Sequence, residues 1–335
     1  MDLNGERFYR IANAGSMPTF FMTLVGASDL WMFVASNGGL TAGRVDAESA
    51  LFPYATHDKI IETAATTGPT TILLVDRGQR RSLWEPFRED GRRLYRVQRT
   101  LYKNELGSTL VFEEVNHDLG LAFRYDWRFS GRYGVVRTAR LTNLGDGPCH
   151  VDLLDGLQNL LPAGVTTQLQ ATMSNLLDAY KRSELDPEAG LGLFTLSSTL
   201  TDVAEPMEAL RATTVWQTGL DASAYLLGSE QLDAFRQGAP LAPEHDRRGR
   251  RGAFLVRSES RLEPGADRTW RIVADVERDH ADVIALRSRL LHDPAGLAAD
   301  LERDLAQGDE ALAQIVARVD GQQWTADRAA TARHV

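Results

Sequence analysis

Residues 28–59 hold the densest group of side chains that could bind a sugar. Two glycine-rich turns stand beside an arginine, a Phe-Pro-Tyr corner and a polar Thr-His-Asp-Lys cluster. Aromatic rings can stack on the apolar face of a pyranose, and planar polar groups can hold its hydroxyls. The alternative is that the glycines only permit tight turns and that the tyrosine belongs to the core. The candidate saccharide-binding residues are Asn37, Gly38, Gly39, Arg44, Tyr54, His57 and Asp58.

The sequence lacks the catalytic signatures of several common enzyme classes. It contains no phosphate-binding P-loop, no dinucleotide-binding glycine motif, no serine-hydrolase elbow and no HExxH zinc motif. The seven histidines are scattered, and His280 with Asp282 is the nearest approach to a pair of metal ligands. We interpret that pair as part of a solvated strand-to-helix junction. The sequence therefore predicts neither a metal site nor a cofactor.

Two pairs of neighbouring carboxylates invite comparison with glycosidases, which place two acids around the scissile bond. Glu113 and Glu114 are adjacent within a predicted strand, so their side chains should point to opposite faces. Asp152 and Asp155 stand three residues apart across a strand end and do not converge. No catalytic residue is assigned from these pairs.

The elements that must position the candidate residues are mainly strands, which dominate up to residue 275. Residues 120–129 alternate between apolar and polar side chains, which is typical of a strand with one packed and one wetted face. An amphipathic helix is predicted over 166–185 and a charged loop over 244–251. After residue 279 the pattern is helical, with segments predicted over 281–291, 294–307, 309–319 and 326–335.

Composition narrows the class of protein. The chain has 335 residues and a formal net charge of -9, so nucleic acid and anionic membrane surfaces are poor partners. Its one cysteine, Cys149, excludes an intrachain disulfide. No apolar run reaches the roughly 18 residues that would span a bilayer, and the acidic start does not resemble a signal peptide. We expect a cytoplasmic protein.

Two long segments resemble the N-terminal part of cellobiose-phosphorylase-like proteins of glycoside hydrolase family 94. The first is FFMTLVGASDLWMFVASNGGLTAGR followed by ALFPYATHDKI, and the second begins LVFEEVNHDLGLAFRYDWRF and runs to residue 165. The resemblance implies a mainly β, antiparallel super-sandwich, similar to the galactose-mutarotase fold, over residues 1–278. It also implies a helical linker over 279–335, leading to an (α/α)6 barrel that the sequence does not contain. In that family the barrel carries the general acid and the phosphate site, so no catalytic residue is transferred to this chain.

The resemblance implies a non-catalytic sandwich domain of a glycoside phosphorylase- or hydrolase-like enzyme acting on β-glucosides or gluco-oligosaccharides. Such a domain would assemble a homodimer and lend its loops over 37–44 and 54–59 to the edge of a saccharide site, with phosphate engaged only through the barrel. The alternative is a self-standing carbohydrate-binding or mutarotase-like module. A mutarotase needs a general base and a general acid that converge on an open sheet face, and His117 and Glu114 lie near one another in sequence without a sign that they converge. A scaffold protein without a ligand is the third interpretation.

Overall fold

The computed structural model describes residues 1–3, 5–89, 91–198 and 210–320. The helix-prone segment predicted over 326–335 lies outside the described residues. The strands within them are β1 (Asp2–Leu3), β2 (Glu6–Ala12), β3 (Phe21–Leu24), β4 (Leu30–Ala35), β5 (Leu40–Arg44), β6 (Gly68–Arg77), β7 (Arg80–Trp84), β8 (Val97–Asn104), β9 (Leu110–Asn116), β10 (Leu121–Ser130), β11 (Gly134–Asn143), β12 (Cys149–Leu160), β13 (Lys181–Asp186), β14 (Leu191–Leu196), β15 (Ala212–Thr218), β16 (Ala224–Leu226), β17 (Asp246–Arg248), β18 (Gly252–Leu262) and β19 (Asp267–Arg278). The helices are α1 (His57–Glu62), α2 (Gly91–Leu94), α3 (Thr167–Tyr180), α4 (Leu232–Arg236), α5 (His280–His292) and α6 (Pro294–Asp320).

Three antiparallel sheets make up the sandwich. The largest has eleven strands in the order β1-β2-β8-β9-β10-β11-β19-β15-β14-β13-β17. The second has five strands in the order β16-β18-β12-β6-β7, and the third is the small sheet β3-β4-β5. The main core lies between them, and the predicted apolar face of β10 enters it through Phe123, Tyr125 and Trp127. The prediction of a mainly β, antiparallel sandwich is confirmed.

A buried ion pair links the two larger sheets. Arg137 of β11 donates to both carboxylate oxygens of Asp155 on β12, at 2.9 and 2.8 Å. Thr71 of β6 and the indole of Trp270 on β19 donate to the same carboxylate, at 2.5 and 2.6 Å. Desolvated charges of this kind are tolerated only when paired and hydrogen-bonded, and this network satisfies that condition for Asp155.

Helices α5 and α6 cover part of the outer face of the largest sheet. Leu297, Leu301 and Leu305 recur at helical spacing on α6 and pack in one cluster with Val136 and Val273 of the sheet. The predicted wetted face of β10 is therefore partly covered, which corrects the expectation from its alternation. Arg128 of β10, for example, pairs with an aspartate of α6. None of the helices in the described residues is both long and apolar enough to cross a membrane.

Three local predictions of secondary structure are wrong in part. The helix predicted over 166–185 ends at Tyr180, because Ser183 and Leu185 alternate inward and the chain continues as β13. The charged loop over 244–251 contains β17, which pairs with β13. The helices predicted over 294–307 and 309–319 form one continuous α6.

The junction that contains His280 and Asp282 is the first turn of α5. Asp282 donates its backbone N–H to the side chain of Asp279 at 2.9 Å, and Asp279 donates its own back to the Asp282 carboxylate. This capping box satisfies the free N–H groups at the start of the helix. The predicted solvated junction is thus an ordered helix start.

Candidate functional site

The small sheet carries aromatic side chains on its outer face. Strand β4 alternates, with Leu30 and Met32 buried on the inner side and Trp31 and Phe33 half-buried on the other. Phe21 of β3 stacks on Phe33, with ring centroids 5.8 Å apart and planes only 13° from parallel. Antiparallel pairing brings these rings together, because neighbouring strands place cross-strand side chains side by side.

Two of the sequence-predicted candidates extend this group at opposite ends. Tyr54 packs edge-on against Trp31 at 5.6 Å between centroids, and His57 packs edge-on against Phe21 at 4.9 Å. Trp31 and Phe33 are themselves 5.9 Å apart. The five rings therefore form a continuous series, Tyr54–Trp31–Phe33–Phe21–His57, which we term the aromatic row.

The aromatic row is open to solvent at its ends and fixed in its middle. Tyr54 is 49% exposed and Phe21 is 37% exposed, so Tyr54 is not the core residue that the alternative interpretation required. The indole N–H of Trp31 donates to the Asp46 carbonyl oxygen at 3.1 Å, which fixes that ring. Rings held in place lose little conformational entropy when a ligand stacks on them.

Charged groups lie beside the His57 end of the row. Asp58 and Lys59 are both exposed on the first turn of α1. Hydrogen bonds from the Thr56 side chain and from the Lys59 backbone lower the pKa of the Asp58 carboxyl, which is therefore ionised at neutral pH. A carboxylate, an ammonium and an imidazole are thus placed near apolar rings.

The Asn37–Gly39 turn has a structural role in joining β4 to β5. The Asn37 amide donates to the Ile61 carbonyl oxygen at 3.0 Å and its oxygen accepts from the Gly39 N–H at 3.1 Å. A Cβ on Gly39 would lie 2.2 Å from the Ile60 carbonyl oxygen, so only glycine fits there. Gly38 has a φ of 91°, which also favours glycine.

Arg44 is engaged in ion pairs away from the aromatic row. Its guanidinium contacts Asp275 of the largest sheet at 2.9 Å and also pairs with Asp29. It donates further to the Gly131 carbonyl oxygen at 3.2 Å. These bonds fix the small sheet to the largest sheet and leave little of the guanidinium for a ligand.

The structure therefore divides the seven candidates into two groups. Tyr54 and His57 join the aromatic row and Asp58 lies beside its end, whereas Asn37, Gly38, Gly39 and Arg44 hold the fold together. Sequence reasoning missed Phe21, Trp31 and Phe33. The signal was present in the spacing of Trp31 and Phe33 two residues apart, but the residues between and around them are also apolar, which hides the alternation.

No family model matches the chain, and no curated protein matches it. Among solved structures, it is similar to a bacterial glucoamylase complexed with acarbose, with a TM-score of 0.45 and 9% identity over 90% of this chain and 40% of that one. It is similar to a protein provisionally assigned as a kojibiose phosphorylase from the human microbiome, with a TM-score of 0.39 and 9% identity over 70% of this chain and 26% of that one. It is also similar to an aldose epimerase homologue from C. elegans, with a TM-score of 0.40 and 10% identity over 78% of this chain and 100% of that one. The chain thus spans less than half the length of the first two proteins.

Proposed function

We propose that the chain is a saccharide-binding, non-catalytic sandwich domain of a glycoside phosphorylase- or hydrolase-like protein that acts on β-glucosides or gluco-oligosaccharides. The observation that carries the proposal is the aromatic row. A row of half-exposed rings with charged groups at one end offers stacking to the apolar faces of sugar rings and hydrogen bonds to their hydroxyls. The segments of sequence that form the row are also those that resemble the cellobiose-phosphorylase-like proteins.

Binding is proposed rather than mutarotation because the Glu114 carboxylate is buried and its hydrogen bonds are made within the protein. Glu114 is fully buried and accepts hydrogen bonds from Trp84, the Phe87 backbone and Arg99. Its proposed partner His117 is exposed in the turn after β9. A general acid and base must both reach the substrate, and this pair does not meet on one open face.

The proposal is tested by calorimetric titration of the chain with cellotetraose. We expect saturable binding that weakens about tenfold or more in Trp31→Ala and in Tyr54→Ala, since each removes a stacking ring. Tyr9→Ala is the matched control, because Tyr9 is similarly exposed at 45% but lies on β2 of the largest sheet. Circular dichroism of each variant verifies the fold. Absence of binding heat in the parent chain, or equal binding in all variants, would rule out the row as a saccharide site.

Two further measurements address the other parts of the proposal. Polarimetry of fresh α-glucose should show the uncatalysed rate, and acceleration would instead favour the mutarotase-like alternative. Sedimentation velocity should show a homodimer if the domain serves assembly. A monomer at all concentrations would remove dimer assembly from the proposed function without affecting saccharide binding.

A further inference from the structure

A small cavity, partly open to solvent, lies beside the Asn37–Gly38 turn and reaches the buried side chains of the sandwich. Its volume is about 50 Å³, and the loop that contains Phe87 and Arg88 forms another part of its lining. Tyr125 of β10 and Arg137 of β11 also line it. We term it the interior cavity. Its volume exceeds the roughly 10–15 Å³ that one water molecule needs.

Two donors on side chains that line the interior cavity have no partner among the described residues. Tyr125 is 3% exposed, and its hydroxyl makes no hydrogen bond to a described residue, although the oxygen itself is not fully buried. Arg137 is 1% exposed, and its Nε–H is likewise unpaired although its terminal nitrogens bond Asp155 and Thr71. A donor without an acceptor loses the hydrogen bond that it would make in water, so both groups favour a ligand that accepts.

The acceptors nearest to these donors are already occupied. Asp155 accepts from three different side chains, and Glu114 accepts three hydrogen bonds. The nitrogen and the oxygen of the Asn37 side-chain amide both already make hydrogen bonds at the turn. Burial raises the pKa of the Tyr125 hydroxyl, which therefore stays protonated and donates.

The lining of the interior cavity contains two guanidinium groups and no carboxylate. The Arg137 guanidinium lies over the Tyr125 ring at 4.7 Å and is neutralised by Asp155. Arg88 adds a second guanidinium to the lining, where its bond to the Ala65 carbonyl oxygen is long at 3.5 Å. Guanidinium groups bind oxyanions well because they combine charge with directed donors.

The backbone beside the interior cavity is held in a costly conformation. Phe87 has a φ of 68°, which non-glycine residues adopt rarely. Its N–H donates to the Glu114 carboxylate at 2.9 Å, and its ring packs edge-on against Tyr125 at 5.3 Å. Strain of this kind clusters at active sites, ligand clamps and switch regions.

We propose that the interior cavity binds a small inorganic oxyanion, held by the Tyr125 hydroxyl, the Arg137 Nε–H and the Arg88 guanidinium. The inference is independent of the saccharide proposal, because the aromatic row lies on the outer face of the small sheet. A tetrahedral oxyanion supplies the acceptor oxygens that the protein itself does not offer to these donors.

Inorganic phosphate is the probe, and the thermal midpoint of unfolding is the readout. The midpoint should rise and saturate as phosphate replaces chloride at constant pH and ionic strength, because a ligand that binds only the folded state stabilises it. Tyr125→Phe should keep the fold, since it removes a hydroxyl that has no partner, and should weaken phosphate binding about tenfold. Arg88→Gln should weaken it similarly.

The controls separate a specific site from a general salt effect. Tyr9→Phe removes an exposed hydroxyl on the largest sheet, and Trp31→Ala alters the aromatic row; both should respond to phosphate like the parent chain. Broadening of the phosphate signal in 31P NMR should be similar for the parent chain and the two controls, and weaker for Tyr125→Phe and Arg88→Gln. A midpoint of the parent chain that does not change with phosphate, or one that rises as much in Tyr125→Phe and Arg88→Gln as in the parent chain, overturns the proposal and leaves a cavity filled by water.

Discussion

At the residue scale, the ion pair of Arg137 and Asp155 makes a measurable contribution to stability. Both side chains are almost fully buried, so removing one charge leaves the other uncompensated. We expect Asp155→Asn to lower the free energy of unfolding by about 3–5 kcal/mol in urea titrations. Glu259→Gln is the control, because that carboxylate is half-exposed and should change stability by less than about 1 kcal/mol. Equal effects of the two substitutions would contradict this account.

Asp126 gives the chain a pH-dependent stability. Burial raises the pKa of its carboxyl from 3.8 to about 6, although nearby arginines oppose the shift and Thr138 hydrogen-bonds it. The groups around it are Arg124 and Arg128 on its own strand and Arg271 on β19, which pairs with Glu302 of α6.

The folded state therefore holds the Asp126 proton more tightly than the unfolded state, and stability falls as pH rises between about 4 and 6. Asp126→Asn lacks this titration. We expect the free energy of unfolding of Asp126→Asn, measured in urea relative to that of the parent chain, to increase from pH 4 to pH 6 and then to level off. A difference in the free energy of unfolding that is constant across that range would contradict the titration of Asp126.

The residue types near the candidate site could be predicted from sequence only in part. The aromatic and charged residues over 54–58 could be predicted as available to a ligand, because turns expose them. Arg44 could not be distinguished from them, since its partner Asp275 is 231 positions away in the chain. Long-range ion pairs of this kind leave no local signal.

At the element scale, helix α6 is held to the sheet by its apolar stripe. Leu301 is fully buried in the centre of that stripe, between α6 and the outer face of the largest sheet. We expect Leu301→Ala to lower the free energy of unfolding by about 2–5 kcal/mol and to speed amide hydrogen exchange along α6. Ile315→Ala is the control on the same helix, because Ile315 is 47% exposed. Unchanged exchange in Leu301→Ala would show that the helix is held by other contacts.

Strand positions could be predicted well because their alternation has a period of two, as in β10. The ends of elements could not, because two patterns meet there without a glycine or proline between them, as at Tyr180 and Lys181. The continuity of α6 through Gly308 depends on Leu305 and Leu312, which pack inward on either side. Packing of this kind outweighs the cost of about 1 kcal/mol for a glycine inside a helix.

At the scale of the whole molecule, the sandwich presents two different outer surfaces. The largest sheet is partly covered by α5 and α6, whereas the small sheet leaves Tyr54 and Phe21 of the aromatic row 49% and 37% exposed, with Trp31 packed in part against the cluster that contains Leu177 of α3. An exposed apolar surface of this kind marks a binding site more often than chance. The proposed role of this surface is to bind a saccharide.

The fluorescence of Trp31 during titration with cellotetraose tests that claim most directly. Within the described residues, Trp84, Trp127, Trp216 and Trp270 are buried, and Trp31 alone reaches solvent. We predict a saturable change in emission in the parent chain that disappears in Trp31→Phe, which keeps a ring in the row. No change in the parent chain, or the same change in Trp31→Phe, would contradict the claim.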